Sequence, residues 1–141
     1  MRSGDRIGGD IKRAELDLVA AKSAAVKPAG LTVPQYSALL ALSEHPGAPA
    51  ATLARLCLTT PQTMTTILQN LVALGLVERT SHQWQRNVLE NRLTEAGQAR
   101  FHQADRAAVA VEQKLADAFT EEERAQLRAL LQRCSDVLNE K

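Results

Sequence analysis

A mainly α-helical chain with one small β-hairpin is the fold class this sequence predicts. Apolar residues recur at threes and fours through most of its 141 residues, threonine start signals precede several of those stretches, and the helical period lapses only between residues 76 and 93. The length suits one hydrophobic core, and a single domain over residues 1–141 is expected.

Residues 10–26 place Ile11, Ala14, Leu18, Ala21 and Ala25 on one helical face, after Gly8-Gly9 and before the stop Lys27-Pro28-Ala29-Gly30. Thr32-Val33-Pro34-Gln35 reads as a capping box, with Tyr36, Leu39, Leu40 and Leu42 following along the second helix. After the turn His45-Pro46-Gly47-Ala48-Pro49, residues 50–58 can form a short helix expected to bury Leu53 and Leu56, with Cys57 beside them. Thr60-Pro61 starts the next helix with a threonine cap and a proline at the first position, where its missing N–H costs nothing. Met64, Ile67, Leu68, Leu71 and Leu74 run along one side of it, and Gly75 can stop it.

The hairpin is expected from residues 76–80 and 87–93, joined by the polar stretch Ser81-His82-Gln83-Trp84-Gln85-Arg86. Thr94 then caps a long helix in which Phe101, Ala104, Ala108, Val111, Leu115 and Ala118 keep the period. Thr120-Glu121-Glu122-Glu123 is a second capping box, and the helix after it is expected to bury Leu127, Leu130, Leu131, Cys134 and Leu138.

Composition excludes several classes. The net charge is +1, and residues 31–97 carry as many acidic as basic side chains, so charge alone does not mark a nucleic-acid binder. The two cysteines, Cys57 and Cys134, have no CxxC spacing and no histidine cluster beside them, so no metal site is expected. No carboxylate pair at a glycine-rich turn, nucleophile elbow or phosphate-cradling loop is present, which predicts no catalytic residues, no cofactor and no enzymatic activity. No run approaches the ~20 apolar residues of a membrane span. The start, Met1-Arg2-Ser3-Gly4-Asp5-Arg6, leads into no signal-like stretch, so no membrane contact and a cytoplasmic location are expected.

The order helix, helix, helix–turn–helix, β-hairpin, long helix, helix is that of a winged helix–turn–helix flanked by N- and C-terminal helices. The polar side of the helix after Pro61 carries Gln62, Thr63, Thr66, Gln69 and Asn70, with Thr65 nearer the flank and no charge among them. A merely solvated face would carry Lys and Glu. Amides can bond adenine bidentately and threonine can meet a thymine methyl, so this face suits base edges in the major groove of double-stranded DNA. The helix start at Thr60 offers N–H groups to a phosphate. Arg86 and Arg92 are candidates for phosphate or the minor groove, and Arg79 for carboxylates at the base of the wing. Trp84 is open to two readings, DNA contact or packing back onto the domain. His82 reads as a loop hydrogen-bonder, and His45 and His102 as surface positions.

The wording Leu31-Thr32, Gln35-Tyr36, Leu39-Leu40, His45-Pro46-Gly47, Leu53-Ala54, Thr60-Pro61-Gln62-Thr63-Met64, Gly75-Leu76-Val77-Glu78-Arg79 and Leu93-Thr94-Glu95-Ala96-Gly97 resembles the MarR (multiple antibiotic resistance regulator) family over nearly the whole chain. That resemblance implies a homodimer joined by helices within residues 10–30 and 95–141, around winged modules spanning residues 31–94. It implies a repressor reading an inverted repeat, with recognition helices about 34 Å apart. It also implies a small aromatic or phenolic effector bound in the crevice between dimerisation helices and winged module. Two departures stand out. Many members carry an Asp-x-Arg wing signature, whereas this wing has no aspartate and Arg86 is a candidate by position. The recognition helix lacks arginine and lysine, which lowers the expected salt slope. Two other functions fit the residues: a redox-responsive regulator acting through Cys57, and a winged-helix module that binds protein instead of DNA.

Overall fold

The computed structural model describes residues 1–81, 84, 85 and 87–140. In chain order they form α1 (Ile7–Val26), α2 (Val33–Glu44), α3 (Ala50–Leu56), α4 (Pro61–Ala73), β1 (Val77–Ser81), β2 (Leu89–Leu93), α5 (Glu95–Asp117) and α6 (Glu121–Leu138). Short 3-10 turns precede and follow α1. The chain divides into two compact units, Met1–Ala108 and Val109–Lys141.

In the first unit the core gathers Leu39 and Leu42 of α2, Leu53 of α3, Met64, Leu68 and Leu71 of α4, and Phe101 and Ala104 of α5. Threonine side chains cap the starts of α2, α4, α5 and α6. Gln35 N–H donates to Thr32 Oγ1 (3.3 Å) and Thr32 N–H to Gln35 Oε1 (3.0 Å), the reciprocal pair the sequence predicts for α2. Thr94 joins three elements: its hydroxyl donates to the Gly75 carbonyl (2.6 Å) and accepts from Gly97 N–H (2.9 Å), while its own N–H donates to the Leu76 carbonyl (3.1 Å). Gly97 is obligatory at this junction, because a Cβ there would overlap the Leu76 carbonyl oxygen. Farther along α5, the Tyr36 hydroxyl donates to Asp105 Oδ1 (2.6 Å) and its ring stacks on Phe101, fixing α5 against α2.

β1 and β2 pair antiparallel, with Val77 opposite Leu93 and Ser81 opposite Leu89. Leu76 lies just before β1 and is buried. The first strand is thus shifted by one residue from the expected 76–80, and the second begins two residues later than the expected 87–93.

Other expectations need correction. Gly8 and Gly9 do not precede the first helix but lie in its first turn, outside the helix interior where the entropic cost of glycine is about 1 kcal/mol. α3 ends at Leu56, which is 47% exposed, because only Leu53 and Ala54 face the core before the chain turns. Leu74 is exposed at the end of α4, where Gly75 at φ 75° bends the chain away.

In the second unit α6 carries the predicted capping box, with Thr120 N–H donating to Glu123 Oε1 (2.9 Å) and Glu123 N–H to Thr120 Oγ1 (3.1 Å). None of its residues is buried: Leu127, Leu130, Leu131 and Leu138 are exposed and Cys134 is half-buried. The α1 stripe behaves alike, with Ile11, Ala14 and Ala21 exposed and only Val26 buried. No helix of the described residues is long and apolar enough to cross a membrane.

Candidate nucleic-acid interface

α3 and α4 are joined by a turn in which Leu58 takes φ 55°, the left-handed conformation usually given to glycine. Thr60 then caps α4: its Oγ1 accepts from Thr63 N–H (3.1 Å) and donates to Thr63 Oγ1 (2.9 Å). With Met64, Ile67, Leu68 and Leu71 turned into the core, α4 leaves Gln62, Thr63, Thr66, Gln69 and Asn70 exposed, and Thr65 partly so. The structure thus brings all the polar residues singled out on this helix to one outward surface.

Their hydrogen-bonding states differ. Thr65 Oγ1 donates to the Pro61 carbonyl (2.9 Å) and Thr66 Oγ1 to the Gln62 carbonyl (3.3 Å), so both hydroxyl protons are spent on the helix backbone and the methyl groups remain as outward contacts. Gln62, Gln69 and Asn70 make no side-chain hydrogen bond to another described residue. Each keeps both an amide donor and a carbonyl acceptor available.

On the wing, Trp84 is 82% exposed, while Arg86 and His82 lie outside the described residues. Arg92 sits at the hairpin base. Its guanidinium pairs with Glu90 Oε2 (3.2 Å) and lies against Gly47, where a Cβ would approach its Nη2 to 2.8 Å. Arg92 also lines a crevice of about 420 Å³ with Ser43, Pro46, Gln98, Phe101 and His102. His102 is exposed and packs obliquely on Phe101, with ring centroids 5.4 Å apart. Arg79 pairs with no carboxylate among the described residues, and its buried Nε has no partner there. Sequence reasoning passed over Asn91, which is wholly buried in β2. Its signal was a polar residue at an inward-facing strand position, between Leu89 and Leu93.

Cys57 is half-buried at the end of α3, with its thiol 3.5 Å from the Ser37 carbonyl. Burial pushes the thiol pKa up, away from the thiolate that redox sensing requires. Among the described residues, no group of histidine, cysteine, aspartate and glutamate could hold a metal ion.

An exposed amide-rich helix set on a core of three helices, followed by a two-stranded hairpin, defines a winged helix–turn–helix module. Residues 29–83 match the model of the MarR family. The transcriptional repressor Rv2887 of Mycobacterium tuberculosis is 32% identical over 111 residues, which cover 79% of this chain and 80% of that protein. Its crystal structure in complex with p-aminosalicylic acid superposes with a TM-score of 0.69 at 30% identity, covering 92% of this chain and 98% of that one. The transcriptional repressor CouR, bound to a 23-mer DNA duplex, superposes with a TM-score of 0.84 at 26% identity, covering 94% of each chain. The chain belongs to the MarR family, whose members are transcriptional regulators and not enzymes.

Proposed function

We propose that this protein is a cytoplasmic, homodimeric repressor that reads an inverted-repeat operator in double-stranded DNA and is released from it by a small aromatic or phenolic ligand. The observation carrying this reading is the uncharged outward face of α4, with three amide side chains uncommitted within the described residues. Gln62, Gln69 and Asn70 supply the base-edge hydrogen bonds, the methyls of Thr63, Thr65 and Thr66 the apolar contacts, and the α4 start at Thr60 a phosphate seat. Trp84 and Arg86 extend the contact through the wing. Arg92, held by Glu90 and Gly47, we assign to the crevice and not to the DNA face.

Dimerisation is supported by the uncovered apolar residues of α1 (Ile7, Ile11, Ala14) and, separately, of α6 (Leu127, Leu130, Leu131), since apolar stripes left uncovered on a soluble protein mark an interface. The effector reading is supported by the Arg92–Phe101–His102 crevice, whose size is that of a small-ligand site. An aromatic ring would lie along Phe101 and His102 and its acidic group would meet Arg92. Rv2887, with its bound aminosalicylate, supplies a relative that takes such a ligand. A ligand favouring the DNA-incompetent form by ~1–3 kcal/mol would weaken operator binding about 5–150-fold.

The test is an anisotropy titration against the DNA upstream of its own gene at two salt concentrations, beside a scrambled duplex. The reading requires specific binding at one dimer per site that weakens with salt. No binding even at low salt would replace it with a protein-interaction module.

A further inference from the structure

Asn91 is the one buried polar side chain among the described residues, with no measurable exposure. Its amide Nδ2 donates to the Ala48 carbonyl (2.9 Å), its own backbone carbonyl accepts from Gly47 N–H (2.9 Å), and the next residue, Arg92, lays its guanidinium on Gly47. Two hydrogen bonds and one packing contact therefore hold β2 to the turn that leads into α3 and, through it, to α4. Asn91 Oδ1 has no hydrogen-bond partner among the described residues, and neither does the Nε of Arg79, the residue directly opposite it in the hairpin. An unsatisfied buried oxygen is a standing cost that an apolar side chain of similar size would avoid. A lone two-stranded hairpin is marginal in water and takes its order from what it docks on. A directional bond from its centre specifies one docking position, which leucine packing does not.

We infer that Asn91 is a positioning residue: it latches the wing to the turn between α2 and α3 and so holds the wing in register with the reading face of α4. The DNA half of this inference rests on the reading above, while the latch itself does not. Its signature is that local opening at Gly47 and DNA binding change together while global stability stays nearly constant. Replacement by leucine, Asn91→Leu, removes the unsatisfied oxygen together with the directed bond.

The expected result is an unfolding midpoint close to wild type, because the Ala48 carbonyl left without its donor offsets the unsatisfied oxygen removed, with Gly47 amide exchange about tenfold faster in the free protein and affinity for a wild-type-selected operator duplex about tenfold weaker. The salt slope should fall by about one for each phosphate the wing no longer reaches. Unchanged Gly47 exchange would overturn the latch, and unchanged operator affinity and slope would overturn its role in DNA binding. Affinity lost only in proportion to a fall in global stability, with core amides exchanging faster by the same factor as Gly47, would reduce Asn91 to a plain structural residue. Should the leucine variant fail to fold, Asn91→Ser, too short to reach the Ala48 carbonyl, is read by Gly47 exchange relative to core amides and by operator affinity, since its cavity lowers the midpoint by itself. If the wild type itself binds no duplex, the operator reading fails, and Gly47 exchange still decides the latch.

Discussion

α4 and α6 have nearly the same amphipathic design in sequence and opposite fates in the structure. In α4 the residues Met64, Leu68 and Leu71 are completely buried against α2 and α3, whereas in α6 no residue is buried and Leu127, Leu130 and Leu131 face outward. A helical period establishes that a face exists and says nothing about what covers it. For α4 the cover lies in the same chain. For α6 the cover proposed here is a second copy of the protein, so mutations on the two stripes should be felt in different equilibria.

The sharpest contrast is Leu68→Ala against Leu130→Ala. The first opens a cavity in a closed core and should cost about 2–5 kcal/mol in denaturant unfolding at any protein concentration. The second should weaken association, so that dissociation sets in at higher protein concentration and sedimentation shifts towards monomer. A Leu130 variant that left the oligomeric state unchanged would break the comparison. Gly97→Ala probes the junction of the hairpin with α5. Its methyl would press on the Leu76 carbonyl oxygen, a backbone atom that cannot swing aside, and a loss of about 3 kcal/mol is expected in the same assay. The smallest effect should come from Cys57. Because its pKa is raised, the thiol stays protonated at neutral pH, so it should react with a disulfide reagent more slowly than free cysteine, and peroxide should leave DNA binding unchanged. Linkage gives the sign at high pH: the folded form holds its proton longer than the unfolded one, so stability falls as pH rises above the ordinary thiol pKa.

What was legible in the sequence was local. The threonine starts at 32, 60, 94 and 120 declare themselves within four residues of chain, since a cap needs only its own first turn. The outward face of α4 was legible for the same reason, being the complement of a strict apolar stripe. Depth was less legible. Leu56 and Leu74 fit the helical period, yet each lies where its helix ends and the chain turns, and there periodicity no longer reports direction. Asn91 was hidden because its partners, Gly47 and Ala48, are more than forty residues away and contribute backbone atoms, which leave no trace in side-chain chemistry. Arg92 shows the same limit: its pairing with Glu90 and its packing on Gly47 depend on where the hairpin docks, which the sequence does not display.

The central claim is that the amides of α4 read base edges. It is tested most directly by measuring the affinity of wild type and of the Gln62→Ala/Gln69→Ala double variant for the operator and for a scrambled duplex over a range of salt. Direct readout predicts that the operator-to-scrambled ratio falls at least about tenfold while the salt slope stays at its wild-type value, because each bidentate base contact contributes about 1–3 kcal/mol of discrimination and no phosphate contact is removed. An unchanged ratio would contradict the account and leave that face of α4 as a solvated surface.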